Sequence, residues 1–133
     1  MQRITREDLK IMNEDLHRDF VLVNVLPRED FNQRHIRTSI NIPVDRADFV
    51  EQMEAVIGDK NRDTVVYCAD FECKASPRAA HDLEEAGFGN VYDYEGGTAD
   101  WFEAKEQEEQ EEKEQGTEQE ERQARSQAGR GSR

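Results

Sequence analysis

The sequence predicts an α/β domain in which a small, mostly parallel β-sheet carries helices on both faces. Near-continuous apolar runs at residues 20–26 and 64–68 are typical of strands that are buried on both sides. Segments with helical spacing separate these runs, and alternating strands and helices favour parallel pairing through crossover connections. The first 105 residues are enough to form one hydrophobic core without disulfides.

Local signals along the chain delimit each element. The first helix is predicted after Thr5, which forms an approximate capping box with Asp8, and its apolar face carries Leu9, Met12 and Leu16. The remaining predicted strands cover residues 39–42 and 90–94. Further helices are predicted from Pro27, over 48–57, over 76–87 and over 98–105.

The helix predicted at 76–87 follows the third strand, and its ends have clear signals. We assign Ser76 as its N-cap, Pro77 as its first residue and Gly87 as its C-cap. The strand that precedes it ends at Cys68. Because ligands of parallel sheets bind beyond the carboxyl ends of the strands, this thiol lies where a functional site is expected.

Composition divides the chain into a domain at 1–105 and a tail at 106–133. The tail has no aromatic residue and no aliphatic residue larger than alanine, so it cannot bury enough apolar surface to offset the entropy of ordering. We predict that this acidic, low-complexity tail is disordered or forms a solvated helix extension.

Charge and hydropathy exclude several classes of partner. The formal net charge is -13, and the acidic residues are spread over the domain and the tail. This pattern argues against nucleic acid or an anionic membrane as a partner, since both require clustered Lys and Arg. No apolar run approaches about 18 residues, and the N-terminus lacks the apolar core of a secretory signal. Two cysteines are too few for a disulfide framework, so we expect a reducing, cytoplasmic setting.

Cys68 is the candidate nucleophile. Between a strand end and a helix N-terminus, backbone N–H groups can converge on an anion, and the helix dipole assists them. A thiol in that position has a lowered pKa and reacts as a thiolate at neutral pH. The alternative interpretation is that Cys68 is a small apolar residue of the core.

Four segments in order resemble the single-domain rhodanese family of sulfurtransferases. They are VLVNVLPREDFNQRHI, RHIRTSINIP, VVYC with SPRAAHDLEEAGFGNVY, and DYEGGTADWFEA. The resemblance implies that Cys68 takes sulfur from thiosulfate or a persulfide donor, holds it as a persulfide, and passes it to a thiol or protein acceptor. It implies no metal or organic cofactor. It also implies that the loop binds the substrate anion, through Ala69, Asp70, Phe71, Glu72, Cys73, Lys74, Ala75 and Ser76.

The chain departs from the family pattern at the loop. Seven residues separate Cys68 from Ser76, more than in the common form, and the loop arginines of the family are absent. Asp70 and Glu72 instead add negative charge, which raises a thiol pKa and repels a dianion. Two alternatives therefore stand beside sulfur transfer. One is a non-catalytic binding or regulatory module with this fold. The other, which is less favoured, is a phosphatase or arsenate reductase that uses the longer loop.

Other residues near these motifs have simpler interpretations. Cys73 is either a resolving thiol or a loop residue that points into the core, and we prefer the second. His35 is interpreted as structural, and Trp101 as packing the last helix on the core. Gly96 and Gly97 fit a backbone position that requires positive φ or a close approach to the active-site loop.

Overall fold

The structure is a computed structural model that describes residues 1–15, 18–103 and 106. It divides into two units, residues 1–101 and 102–133. In the second unit only residues 102, 103 and 106 are described, and all three are helical. Leu16 and the tail that we predict at 106–133, except Glu106, lie outside the described residues.

Five parallel strands form one sheet in the described part of the chain. The strands are β1 (Gln2–Ile4), β2 (Phe20–Asn24), β3 (Ile40–Asn41), β4 (Asp63–Tyr67) and β5 (Val91–Tyr94). The helices are α1 (Arg6–Glu14), α2 (Arg28–Gln33), α3 (Phe49–Ile57) and α4 (Ala75–Glu85), and residues 97–103 are also helical. The strand order is β1-β5-β4-β2-β3. The predicted α/β class with a parallel sheet is confirmed.

The core consists of two apolar clusters, one on each face of the sheet. Side chains alternate along β4, so Val66 and Cys68 belong to the cluster with Met53 of α3 and Leu83 of α4. Other residues of the same strand, including Tyr67, belong to the opposite cluster with α1. This two-sided burial is the physical reason for the uninterrupted apolar runs in the sequence.

The helix ends agree with prediction at α1 and differ at α4. The Thr5 hydroxyl accepts a hydrogen bond from the Asp8 N–H at 3.2 Å, and the Asp8 carboxylate accepts one from the Thr5 N–H at 3.0 Å. These bonds hold the pKa of Asp8 below its usual value. Helix α4 begins at Ala75 with Lys74 as N-cap, so the assignment of Ser76 as N-cap and Pro77 as first residue was wrong. The Ser76 hydroxyl is buried and directed toward Cys68 instead of the helix backbone.

The C-terminal end of α4 also differs by one residue from the prediction. Ala86 is the C-cap, and Gly87 is the residue after it. Glycine is most often found at the residue after the C-cap. Gly87 therefore does mark the end of the helix, but its assignment as the C-cap was wrong by one residue.

Candidate active site

Cys68 follows the last residue of β4, at the carboxyl edge of the sheet. It is 1% exposed, and it lies against the apolar cluster under α3 and α4. The loop that leaves this edge leads to the N-terminus of α4. The predicted placement of the thiol between a strand end and a helix start therefore agrees with the structure.

Residues at the Gly96-Gly97 turn contact the backbone of Cys68 and form hydrogen bonds with it. The Cys68 carbonyl oxygen accepts hydrogen bonds from the Thr98 N–H at 3.0 Å and the Thr98 hydroxyl at 3.2 Å. The Ala69 carbonyl oxygen accepts one from the Ala99 N–H at 2.8 Å. Gly97 has φ +64°, and a Cβ there would lie 2.3 Å from the Cys68 carbonyl oxygen. Both properties predicted for the glycine pair, positive φ and a close approach to the loop, occur at Gly97.

Asp70 organises the loop from within. Its Oδ1 accepts hydrogen bonds from the N–H groups of Glu72 and Cys73, each at 3.0 Å, and its carbonyl oxygen accepts from Cys73 N–H at 3.2 Å. Such a side-chain turn is the usual local structure formed by aspartate. Because these two N–H groups already have an acceptor, they are not free to bind a substrate anion in this conformation.

Other N–H groups remain at the start of α4. Ala75 and Ser76 are the first residues of that helix, where backbone N–H groups have no intrahelical acceptor. The helix dipole adds positive potential at the same end. The side chains of Phe71, Glu72 and Lys74 are exposed. At 67%, Phe71 is the most exposed large apolar residue in the described part of the chain.

Cys73 is joined to Cys68 by a disulfide bond in the structure, with 6.4 Å between their Cα atoms. That separation lies within the range of about 4.4–6.8 Å usual for disulfides. Cys73 is half-buried and packs against the same apolar cluster as Cys68. It therefore points toward the core, as we preferred from the sequence, and it also meets the candidate nucleophile.

Ser76 and Asp93 are two buried polar residues close to each other, and Ser76 lies beside Cys68. The Ser76 Oγ lies 3.4 Å from the Cys68 Sγ. Asp93, in β5, is fully buried, and its carboxylate oxygens have no hydrogen-bond partner of ordinary geometry among the described residues. Burial raises the pKa of Asp93, and the charge of Glu95 acts in the same direction, whereas Ser76 and Arg3 oppose the shift.

Asp93 was not singled out from the sequence. The signal was present, since an acidic residue at the centre of a predicted buried strand, residues 90–94, must be paired, neutralised or functional. Its place next to β4 follows only from the strand register, which pairs Asp93 with Val66, two residues before Cys68.

The opposite face holds a polar network around Tyr67. Its hydroxyl oxygen accepts a hydrogen bond from the Ile36 N–H at 3.0 Å and lies 2.8 Å from the Ser39 hydroxyl. Burial raises the pKa of Tyr67. His35 stacks on Phe31 with 3.8 Å between ring centroids, and its Nδ1 lies 2.8 Å from the Phe31 carbonyl oxygen. These contacts join His35 to α2, and its structural role stays a prediction.

Asn24, the last residue of β2, forms hydrogen bonds that support the turn after this strand. Its Oδ1 accepts a hydrogen bond from the Leu26 N–H at 2.9 Å, and the Asn41 side-chain amide donates to the carbonyl oxygens of Asn24 and Leu26. The amide oxygen thus supports the turn after β2 without a charge.

A surface cleft of about 350 Å³ lies beside the loop. Its lining includes Phe71 from the loop, Tyr94 and Gly96 after β5, and Arg3 and Glu7 near the N-terminus. The cleft combines an aromatic wall with both signs of charge.

Within the described residues, 1–15, 18–103 and 106, no group of three or more His, Cys, Asp and Glu side chains is placed to hold a metal ion. None of the helices described combines the length and the apolar character needed to cross a membrane.

Residues 5–104 match the model of the Rhodanese-like domain family, and the chain belongs to this family. The resemblance identified from the sequence is therefore confirmed over the same region.

Individual relatives support the family and the fold. The solution structure of the Rhodanese-like domain of Alr3790 from Anabaena is 28% identical, with a TM-score of 0.67 over 78% of this chain and 75% of that one. A rhodanese with anions from E. coli is 30% identical, with a TM-score of 0.53 over 61% and 89%. Thiosulfate sulfurtransferase from Pseudomonas aeruginosa, at 24% identity and a TM-score of 0.66, shares the fold over 78% of this chain and 19% of its own.

A curated relative is matched over only part of its length. The HTH-type transcriptional regulator Rv0324 of Mycobacterium tuberculosis is 35% identical over 69 residues, which are 52% of this chain. The matched region is 29% of the length of that regulator.

Proposed function

We propose that this protein is a sulfurtransferase that carries sulfane sulfur as a persulfide on Cys68. The observation that carries the proposal is the position of Cys68 at the carboxyl end of β4, facing the first turn of α4, in a chain of the Rhodanese-like domain family. A reducing compartment such as the cytoplasm would keep the thiol free for this chemistry.

The proposed cycle has two displacement steps. The Cys68 thiolate attacks the outer sulfur of a donor, R–S–SH, so that the donor S–S bond breaks, R–SH leaves and Cys68–S–S⁻ forms. With thiosulfate the leaving group is sulfite. An acceptor thiolate then attacks the outer sulfur of the persulfide and regenerates Cys68 as the thiolate.

Electrostatics favours one class of donor. The loop contains two carboxylates and one lysine, and it lacks the arginines that would hold a dianion. The first arginine after the loop, Arg78, pairs with Asp45 at 3.0 Å. Because thiosulfate carries two negative charges on the reacting group and a persulfide group carries at most one, we favour a low-molecular-weight persulfide or a protein persulfide as the donor.

The proposal is tested by intact mass after the reduced protein is incubated with glutathione persulfide or, separately, thiosulfate. The Cys73→Ser variant should gain one sulfur, about 32 Da, because only Cys68 can then hold it. The Cys68→Ser variant should gain none. If no form gains sulfur from either donor, and circular dichroism shows folded protein, sulfur transfer by this chain is contradicted.

A second candidate is a rhodanese-fold regulatory module without catalysis. It is favoured by one observation, the similarity to part of a transcriptional regulator. Under this alternative, Cys68→Ser would leave partner binding unchanged, whereas a sulfur-transfer function would be lost.

A further inference from the structure

The loop after β4 places a second cysteine, Cys73, in contact with the candidate nucleophile Cys68. We propose that Cys73 is a resolving thiol that releases the sulfane sulfur of the Cys68 persulfide as hydrogen sulfide. The protein would then reduce sulfane sulfur in addition to transferring it. This inference rests on the persulfide proposed above.

Loop geometry is the first argument. The disulfide shows that the Cys73 sulfur reaches the Cys68 sulfur without rearrangement of β4 or α4. Three hydrogen bonds set the position of Cys73. Its N–H donates to the Oδ1 and to the carbonyl oxygen of Asp70, and the Glu72 N–H donates to the same Oδ1. Cys73 is thus held in place by the structure of the loop and does not reach Cys68 by chance.

The step balances in atoms and electrons. The Cys73 thiolate attacks the inner sulfur of Cys68–S–S⁻, the persulfide S–S bond breaks, and a Cys68–S–S–Cys73 bond forms. The outer sulfur leaves with the electron pair and, with the proton lost by Cys73, becomes HS⁻. The sulfane sulfur is reduced by two electrons, and the two cysteines are oxidised by two.

Regeneration requires a dithiol reductant of the thioredoxin class. Cys73 is half-buried, whereas Cys68 is 1% exposed, so an external thiolate reaches the Cys73 sulfur first. Attack there makes Cys68 the leaving group. The Ser76 hydroxyl, 3.4 Å from the Cys68 sulfur, and the N-terminus of α4 both favour the departing thiolate. A second thiol of the reductant then frees Cys73.

Transfer of sulfur to an acceptor thiol competes with release of sulfide by Cys73. An acceptor thiol that enters beside the loop attacks the outer sulfur of the persulfide and receives it. When no acceptor is present, Cys73 attacks the inner sulfur, and sulfide is released.

The test uses fully reduced full-length protein, freed of reductant under anaerobic conditions and given one equivalent of glutathione persulfide. Sulfide is trapped with monobromobimane, and intact mass is recorded in parallel. The wild type should release close to one sulfide per chain and lose about 2 Da as the disulfide forms. Cys73→Ser should release at least roughly tenfold less sulfide and keep about 32 Da of added sulfur.

Cys68→Ser measures the background of sulfide released by decay of the donor. Cys73→Ala repeats the Cys73→Ser test with a side chain that has no hydroxyl. A wild type that keeps the added sulfur and releases no sulfide above that background would overturn the resolving role while leaving the persulfide intact. If Cys73→Ser and Cys73→Ala both fold and gain no sulfur, the proposed sulfur transfer fails instead.

Discussion

Replacing Gly97 with alanine should lower the free energy of unfolding by more than the cost of placing an alanine at a positive φ. An alanine Cβ at this position would lie 2.3 Å from the Cys68 carbonyl oxygen and 2.8 Å from the Ala69 carbonyl carbon. These are backbone atoms, so no side-chain rotation relieves the overlap. The turn must move away from β4, which breaks the hydrogen bonds that Thr98 and Ala99 donate to this strand end.

The chain offers a matched control at Gly58. It has φ +76°, close to the +64° of Gly97, but no heavy atom lies within 4 Å of an added Cβ. The ψ of Gly58 is -74°, a sparsely populated conformation, so Gly58→Ala measures the cost of alanine at a strained positive φ without steric overlap, about 1–3 kcal/mol. Gly97→Ala adds the loss of two or three hydrogen bonds at about 1 kcal/mol each, so it should cost roughly 2–3 kcal/mol beyond the control.

Urea unfolding followed by the fluorescence of Trp101 provides the free energies of unfolding for both variants. Trp101 contacts Tyr94 edge to face with 6.3 Å between ring centroids, so its emission reports on the same region of the fold. Equal costs for Gly97→Ala and Gly58→Ala would refute the argument that the glycine turn is required by its contact with the Cys68 backbone.

Three further predictions concern the polar groups around the site. Because burial raises the pKa of Asp93 above its ordinary 3.8, the folded state binds this proton more readily than the unfolded state. Asp93→Asn should therefore have a higher free energy of unfolding than wild type at pH 7. The difference between the two free energies should narrow as pH falls through the folded-state pKa toward 3.8. A difference that does not change with pH in urea unfolding would contradict this. Tyr67→Phe leaves the buried Ile36 N–H without an acceptor and should lower the free energy of unfolding by about 1–3 kcal/mol, whereas a cost below about 0.5 kcal/mol would argue against the network. Asp70→Ala should shift the Cys68–Cys73 equilibrium toward the dithiol by roughly thirtyfold in glutathione buffers, because about 1 kcal/mol is lost for each of two loop hydrogen bonds and about 1.4 kcal/mol corresponds to tenfold. Asp70→Asn keeps an oxygen acceptor and should stay near wild type; an equal shift in both variants would show that the carboxylate charge matters instead of the turn.

The parallel sheet was predictable because its central strands are buried on both faces. Residues 20–26 and 64–68 are apolar without interruption for that reason, and the structure places β2 and β4 within or next to these runs. β1 was not predicted. It has three residues, two of them exposed, and it becomes a strand only by pairing with β5 at the edge of the sheet.

The candidate nucleophile was also predictable, but its surroundings were not. Cys68 lies between a strand and a helix that both have strong local signals. The bond between Cys68 and Cys73 depends on the turn that Asp70 forms inside the loop, and the sequence indicated Asp70 only as a charge. The start of α4 was misplaced because Ser76 resembles an N-cap in sequence, whereas its hydroxyl faces the Cys68 sulfur in the fold.

The most direct test of the central claim is to locate the transferred sulfur within the chain. Trypsin cleavage after Arg62 and Lys74 places both cysteines in one peptide, residues 63–74, and fragment ions formed between Cys68 and Cys73 distinguish them. Reduced Cys73→Ser and wild-type protein, treated with glutathione persulfide and quenched at once with iodoacetamide, are compared after digestion. We expect the added sulfur, about 32 Da, on Cys68 in both proteins, and when quenching is delayed we expect the disulfide to replace the persulfide only in wild type. Sulfur located on Cys73 in wild type, with none on Cys68 in the variant, would contradict it.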